Sequence, residues 1–361
     1  MRPHLRPHDR GAALVLVLVC LLALSSLVLA TTKRAFLEAQ RSSYLKGEHQ
    51  ADLLMESLLL LALERIAQDE EPQDDTWFDP WAAPIEGEFF TMTIEPCNAQ
   101  LNLNKVNVSE PLADAVNSLG LELNATGQFL GSLKDWVDED NKGVAFGDEQ
   151  TPYKQLWPRY TPPNRPLLVL EELFLVSGWD AVPPSKVEKL FTVWGREAKV
   201  NVNFAPEEVM QALLPETSYF WEGVRIQRQE QGIRSIEELL EAAPTLGANK
   251  DLLDKATQLI CFNSELLRVM IEVHLPNVYE KRRYIVRHSQ LKPKDKKKPQ
   301  PKKKNPNESE ALVILKPSVV QCDVLEVRPA DLKPLAANRA ADTVSPWERR
   351  RATTSQANEK D

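Results

Sequence analysis

Arg10-Gly11-Ala12-Ala13-Leu14-Val15-Leu16-Val17-Leu18-Val19 opens an apolar run that continues to Ala30. From Ala12 to Ala30 the run is 19 residues long and carries no charge. At about 1.5 Å per helical residue it just matches the roughly 30 Å hydrocarbon core of a bilayer. Ahead of it Arg2, Arg6 and Arg10, with His4 and His8, favour a cytoplasmic N-terminus, while Lys33, Arg34 and Arg41 on the far side weaken that bias. A secretory signal is cut after its apolar region, at small residues. Here the candidate scissile residue, Gly11, stands before it, so a cut between Gly11 and Ala12 retains the helix. The competing reading is a plain uncleaved signal anchor.

Beyond Ala30 no Pro occurs until Pro72 and the one Gly is Gly47. Phe36, Leu37, Tyr44, Leu45, Leu53, Leu54, Leu58 and Leu61 recur at helical spacing. The simplest account is one helix from Ala12 to Ile66, its first half in lipid or against neighbouring helices. Its second half, with Leu58, Leu59, Leu60, Leu61 and Leu63, is expected to pack on a domain. An acidic, Pro- and Trp-rich loop at 73–84 precedes Glu88–Glu95, which has strand composition.

Leu101-Asn102-Leu103-Asn104 is echoed by Val200-Asn201-Val202-Asn203 about a hundred residues later, each time leading into a helix-like segment. Asparagine there caps a helix or satisfies loop backbone, so both pairs read as structural rather than ligand-binding. Between and after them, 126–137, 168–176, 183–191 and 206–213 read as short helices, and Ser235-Ile236-Glu237-Glu238 has the form of a capping box. From Leu267 the pattern turns to strands, at 267–275, 283–286 and 311–315, as in an antiparallel meander. Lys292–Asn307 interrupts it with six Lys at 296–298 and 302–304. It reads as a solvated loop, with a basic contact for anionic lipid, acidic partners or nucleic acid as the functional alternative. The tail after Pro329 is polar and is expected to be disordered.

Of 361 residues, 43% are apolar and 27% charged, and the net charge is −8 despite the Lys-rich stretch. The folded part is therefore acidic, which disfavours nucleic acid as its general partner. Of the four cysteines, Cys20 lies in the apolar run, and Cys97, Cys261 and Cys322 form no Cys-x-x-Cys pair. Neither a disulfide framework nor a zinc site is implied. No Gly-x-Ser-x-Gly, His-Glu-x-x-His or Gly-rich phosphate loop occurs, so catalytic residues are not expected.

The densest oxygen-donor segment is Asp135-Trp136-Val137-Asp138-Glu139-Asp140-Asn141-Lys142-Gly143, continuing to Asp148 and Glu149. Counting Asp138 as position 1 puts Asp140 at 3, Gly143 at 6 and Glu149 at 12, as in an EF-hand loop, but Lys142 stands where an oxygen donor belongs. Calcium binding by Asp135, Asp138, Asp140, Asp148 and Glu149 competes here with a solvated acidic turn.

In order along the chain, several pieces resemble the minor pseudopilin K family of type II secretion systems. They are the Arg10-Gly11-Ala12 start, Gln100–Asn104, Asp135-Trp136-Val137-Asp138-x-Asp140, Pro162-x-Asn164-x-Pro166 with Glu171-Glu172-Leu173, Val200–Asn203 with Ala205-Pro206 and Val209, and Ser235-x-Glu237-x-Leu239. The resemblance implies an α+β, pilin-like chain: a long N-terminal transmembrane helix packed on an antiparallel sheet, with a large helical insertion domain. The expected divisions are a leader at 1–11, the transmembrane part at 12–30, and the rest of the helix and the start of the sheet at 31–100. The insertion then spans 101–262 and the C-terminal strands 263–328, with the Lys-rich loop at 291–309 and the tail at 329–361.

The resemblance further implies cleavage and methylation at Gly11 and Ala12 by prepilin peptidase, and calcium beside the acidic loop. It implies a single pass of the inner membrane with a periplasmic domain, and assembly with minor pseudopilins I and J at the tip of the pseudopilus. The secretin and secreted substrates are further contacts. Leu16 is the fifth residue after the cut, where most pilin-like proteins carry Glu to neutralise a neighbour's amine. Leu there fits a subunit with nothing stacked beyond it. The alternatives are a DNA-uptake type pilin or membrane-anchored receptor using the Lys-rich loop, and a membrane-anchored hydrolase.

Overall fold

The computed structural model describes residues 7–69, 71, 73–144, 149–154, 159–215, 220–288 and 318–328. Helix α1 runs without interruption over Pro7–Ala67, 61 residues. Its two halves differ in surroundings. From Leu14 to Ser43 every side chain is exposed, whereas Gly47, Ala51, Met55, Leu58, Ala62 and Ile66 are buried in a stripe spaced by three or four residues. The expectation that the whole leucine run packs inward is corrected: Leu60 is 67% exposed and Leu61 41%. A helix turns about 100° per residue, so four consecutive leucines cannot share one face.

The stripe lies on a five-stranded sheet in which every pairing is antiparallel, in the order β1 (Ile85–Glu86), β2 (Phe90–Pro96), β7 (Leu266–His274), β8 (Tyr279–Arg287) and β9 (Ser318–Arg328). Along β7 the buried residues alternate as Leu267, Val269, Ile271 and Val273, and Met92 and Ile94 of β2 stand opposite Ile271 and Val269. These side chains and the α1 stripe form one core with Trp81 and Val278. At Gly47 the helix meets the β7–β8 hairpin so closely that a Cβ would stand 3.0 Å from Val278 Cγ2. Arg282 of β8 pairs with Asp52 of α1 on the same side. The third strand of the meander is Ser318–Arg328; the expected segment 311–315, the Lys-rich loop and the tail lie outside the described residues.

Between β2 and β7 the chain forms a second core. The expectation of a purely helical insertion needs one correction: it carries two short parallel pairs. β3 (Leu101–Asn102) pairs with β4 (Phe191–Thr192), and β5 (Val200–Asn201) with β6 (Ile260–Cys261). Each begins one unit. In the first, α2 (Glu110–Glu122), α3 (Phe129–Val137) and α4 (Pro184–Leu190) lie between β3 and β4. In the second, α5 (Glu207–Leu213), α6 (Phe220–Glu230), α7 (Ile236–Ala242), α8 (Pro244–Ala248) and α9 (Lys250–Leu259) lie between β5 and β6. Helices α2 and α5 pack on one another and join the units.

The caps follow the sequence. Ser109 Oγ accepts from Leu112 N at 3.4 Å, and Ser235 Oγ from Glu238 N at 3.3 Å, while the Glu238 carboxylate accepts from Arg234 N at 2.8 Å. Two expected helices differ. The helix expected from 126 starts at Phe129, because Gly127 takes a φ of +64°. Leu170–Leu175, between Pro166 and Gly178 at φ +90°, is a tighter 3₁₀ helix.

Candidate functional site

The two asparagine pairs are the frame on which the site rests. In the first unit Asn102 Oδ1 accepts from Asn104 N at 3.1 Å; in the second Asn201 Oδ1 accepts from Asn203 N at 3.0 Å. Asn104 then donates to the carbonyls of Leu167 and Val193 and accepts from Leu167 N at 2.7 Å. Asn203 repeats this, donating to Asp75 and Ile233 carbonyls and accepting from Ile233 N at 2.8 Å. Both pairs are therefore structural, satisfying loop backbone where it crosses a core.

By holding Leu167, Asn104 positions the segment that closes over the acidic loop. That loop leaves α3, whose Trp136 packs edge-on against Tyr153 and Tyr160. Asp135, in the last turn of α3 and buried, accepts from Val144 N at 2.7 Å through Oδ1 and so folds 138–144 back on the helix. Asp138, Asp140 and Glu149 come together: one carboxylate oxygen from each lies within 4.8 Å of the others. Asp148 lies outside the described residues, and Asp135 is not part of this trio. After Glu149 comes a three-residue 3₁₀ turn at Thr151–Tyr153 rather than the second helix of an EF-hand.

Three carboxylates this close repel. Burial, then Glu149, Asp140 and Asp135, push the Asp138 carboxyl up to about 6. Asp138 Oδ1 is buried with no hydrogen-bond partner among the described residues. Lys142 N donates to Asp140 Oδ1 at 2.7 Å, and a second donor is Asn164, which sequence reading took only as part of a motif. Held at φ +47°, it donates from Nδ2 to Glu149 Oε2 at 2.9 Å and to the Asp140 carbonyl. The signal for it was the Pro162-x-Asn164-x-Pro166 setting, since Asn is a residue that tolerates a left-handed backbone between rigid neighbours. An all-oxygen set with an orphaned buried carboxylate oxygen fits a hard divalent cation.

Sequence reading missed a second cluster altogether. Asp69 follows α1, Asp75 lies in the next loop and His288 ends the chain segment leaving β8; their ligand atoms also lie within 4.8 Å of one another. Nothing in their spacing signals it: Asp69 and Asp75 are six residues apart, but His288 lies over two hundred residues further on. The processing residues Gly11 and Ala12 lie in the first turns of α1, and Leu16 on its exposed half, 65% exposed. The Lys-rich stretch lies outside the described residues.

Comparison with known proteins agrees with this architecture. Residues 99–196, which hold the first asparagine unit and the acidic loop, match the family model described as type II secretion system protein K. The type II secretion system protein K of Klebsiella pneumoniae is 30% identical over 196 residues, covering 48% of this chain and 59% of the relative. Its counterpart in Pectobacterium carotovorum subsp. carotovorum is 26% identical over 198 residues, covering 49% and 60%. The chain thus spans about three-fifths of the length of the curated relatives it matches. Among solved structures, a chain in the crystal structure of the GspK-GspI-GspJ complex from the enterotoxigenic Escherichia coli type 2 secretion system superposes with a TM-score of 0.59. That match is 15% identical and covers 79% of this chain and 99% of the other, so it speaks to the fold. Residues 99–196 are thus similar to the domain described as type II secretion system protein K, and the chain as a whole shares its α+β fold with that complex's chain.

Proposed function

We propose that the protein is a non-enzymatic minor pseudopilin at the tip of a type II secretion pseudopilus, helping to initiate and cap the fibre that drives folded proteins across the outer membrane. The observation that carries the reading is the division of α1. Its first half, uncharged from Leu14 to Thr32, is exposed all round, and its second half is locked to a sheet that also bears the protein K domain. It is the one helix among the described residues long and apolar enough to cross a membrane. A helix apolar on every face is stable only in lipid or among other such helices, which is the setting a pilus shaft or bilayer offers.

In this reading the N-terminus is cytoplasmic, the rest periplasmic, and prepilin peptidase cuts after Gly11 and methylates Ala12. Leu16 then sits where a shaft subunit needs a carboxylate to meet the amine of the next subunit. A tip subunit has no such neighbour, and an unpaired carboxylate in lipid would be costly. Minor pseudopilins I and J are the partners, consistent with the complex named for the structural neighbour. Calcium is the proposed ion of the acidic loop: Asp138, Asp140 and Glu149 would hold it, with Asp148 as a further candidate. Bound there, it supplies positive charge that joins the end of α3 to the segment after the loop.

Mass spectrometry of the N-terminus of protein from cells with a working prepilin peptidase tests the processing directly. The expected mature chain begins with methylated Ala12. A chain starting at Met1 or after Ala30 would sink the pilin reading. Co-purification with I and J should survive Leu16→Glu in detergent, because the periplasmic domain carries that contact, while secretion in cells falls.

A further inference from the structure

The loop after α1 and the end of β8 meet in the fully buried cluster of Asp69, Asp75 and His288, whose side chains are 3%, 0% and 0% exposed. His288 Nδ1 lies 3.3 Å from the Ser264 carbonyl, which can only accept, so Nδ1 carries a proton. The other nitrogen, Nε2, is 2.9 Å from Asp69 Oδ2, close enough for the two to share a proton or an ion. Asp75 has the Ser264 side chain beside it, and His288 Nδ1 stands 3.5 Å from its Oδ1.

A lone pair on Nε2 facing a carboxylate oxygen repels it unless something positive lies between them. Without an ion the cluster stays neutral only by holding two protons beyond that on Nδ1, one on Nε2 facing Asp69 and one on the buried Asp75. A divalent ion balances both carboxylates and engages all three groups at once. We propose that Asp69, Asp75 and His288 Nε2 form a divalent transition-metal site, of zinc type, separate from the acidic loop. Carboxylate oxygen and imidazole nitrogen form a donor set that zinc accepts and that the hard, oxygen-seeking calcium ion does not prefer. The Nδ1–H···O=C contact to Ser264 is the outer hydrogen bond that commonly fixes the tautomer of a ligating histidine.

The site would also explain where it stands. Asp69 follows the spine helix, Asp75 is held through its backbone by Asn203 and Phe262, and His288 leaves the sheet. One ion there ties helix, sheet and insertion together.

The experiment uses the full chain in detergent, without a histidine tag, stripped with chelator and titrated with Co²⁺. One equivalent should produce a visible d–d band that Zn²⁺ abolishes and excess Ca²⁺ does not. Asp75→Asn and His288→Gln should each weaken Zn²⁺ binding at least tenfold, while Asp138→Asn leaves it unchanged. A wild-type chain that gives no band, or variants that bind as wild type does, would overturn the proposal. Should either variant misfold, X-ray absorption of the zinc-loaded wild type decides. One imidazole nitrogen with oxygen neighbours supports the site, and an all-oxygen shell or several imidazoles refutes it.

Discussion

The two asparagine units share one device and diverge in what they hang on it. Around Asn102 and Asn104 the loop closing the unit is free to gather carboxylates, and the acidic trio of Asp138, Asp140 and Glu149 lies there. Around Asn201 and Asn203 the equivalent bonds reach back to Asp75, in the loop after α1. Asn203 is fully buried, whereas Asn104 is partly exposed. The first unit is thus equipped as a site and the second as a joint, although the local hydrogen-bond geometry is nearly the same.

The sharpest way to break this comparison is to remove the second asparagine of each pair. Asn203→Ala leaves three backbone groups of a buried joint without partners, at about 1–3 kcal/mol each when no water replaces them, so a loss of about 4 kcal/mol is expected. Asn104→Ala, nearer to water, should cost about 2 kcal/mol by the same reasoning. Denaturant melts of both variants measure this, and equal losses would erase the distinction between joint and site.

Calcium gives the next largest effect. At a calcium concentration 100-fold above Kd a single site adds about 2.7 kcal/mol. Asp138→Asn with Asp140→Asn should abolish that gain and leave melting in chelator little changed. Hydrogen exchange should show the calcium-dependent protection in α3 rather than in α5. Identical melting of the native chain with and without calcium would remove the ion from the first unit.

A third effect belongs to the joint. Burial is the main force that pushes the Asp79 carboxyl up to about 6, with backbone N–H of Thr76 opposing at 2.7 Å. The unfolded chain titrates near 3.8. Between these values the folded state holds the extra proton, so this contribution is full below pH 4 and is lost as pH rises towards 6. Chelator-treated wild type should therefore show a downward stability slope across that window, shallower in Asp79→Asn because Asp138 still titrates there; matching profiles would count against it. The smallest effect should come from the exposed leucines, with Leu60→Glu changing stability by no more than about 0.5 kcal/mol. A large loss there would mean that the helix packs on something along that face even in the isolated chain.

Much of this was legible in the residues. The spine helix was readable because a Pro-free run from Thr31 to Glu71 with helical apolar spacing leaves few alternatives, and the strands because β7 alternates strictly. The asparagine echo revealed its role because Asn at a strand end has few other uses. The parallel pairs β3–β4 and β5–β6 were not legible: two residues each carry no periodicity, and their partners lie some 60 to 90 residues away. The acidic loop showed its donors but not Asn164, whose part depends on a backbone angle. The Asp69–Asp75–His288 cluster was hidden for a plainer reason, since it is made by tertiary folding between the two ends of the sheet region.

Gly47 carries a mechanical consequence. It is the one glycine from Ala12 to Ala67, the natural place for a bend, and its backbone is wedged against Val278 and Asn277 of the β7–β8 hairpin. At about 1.5 Å per residue α1 is a rod of roughly 90 Å. With its weakest point clamped, thrust applied along the membrane-facing end reaches the far domain as translation rather than flexing, and Gly47→Pro would turn a ramrod into an elbow.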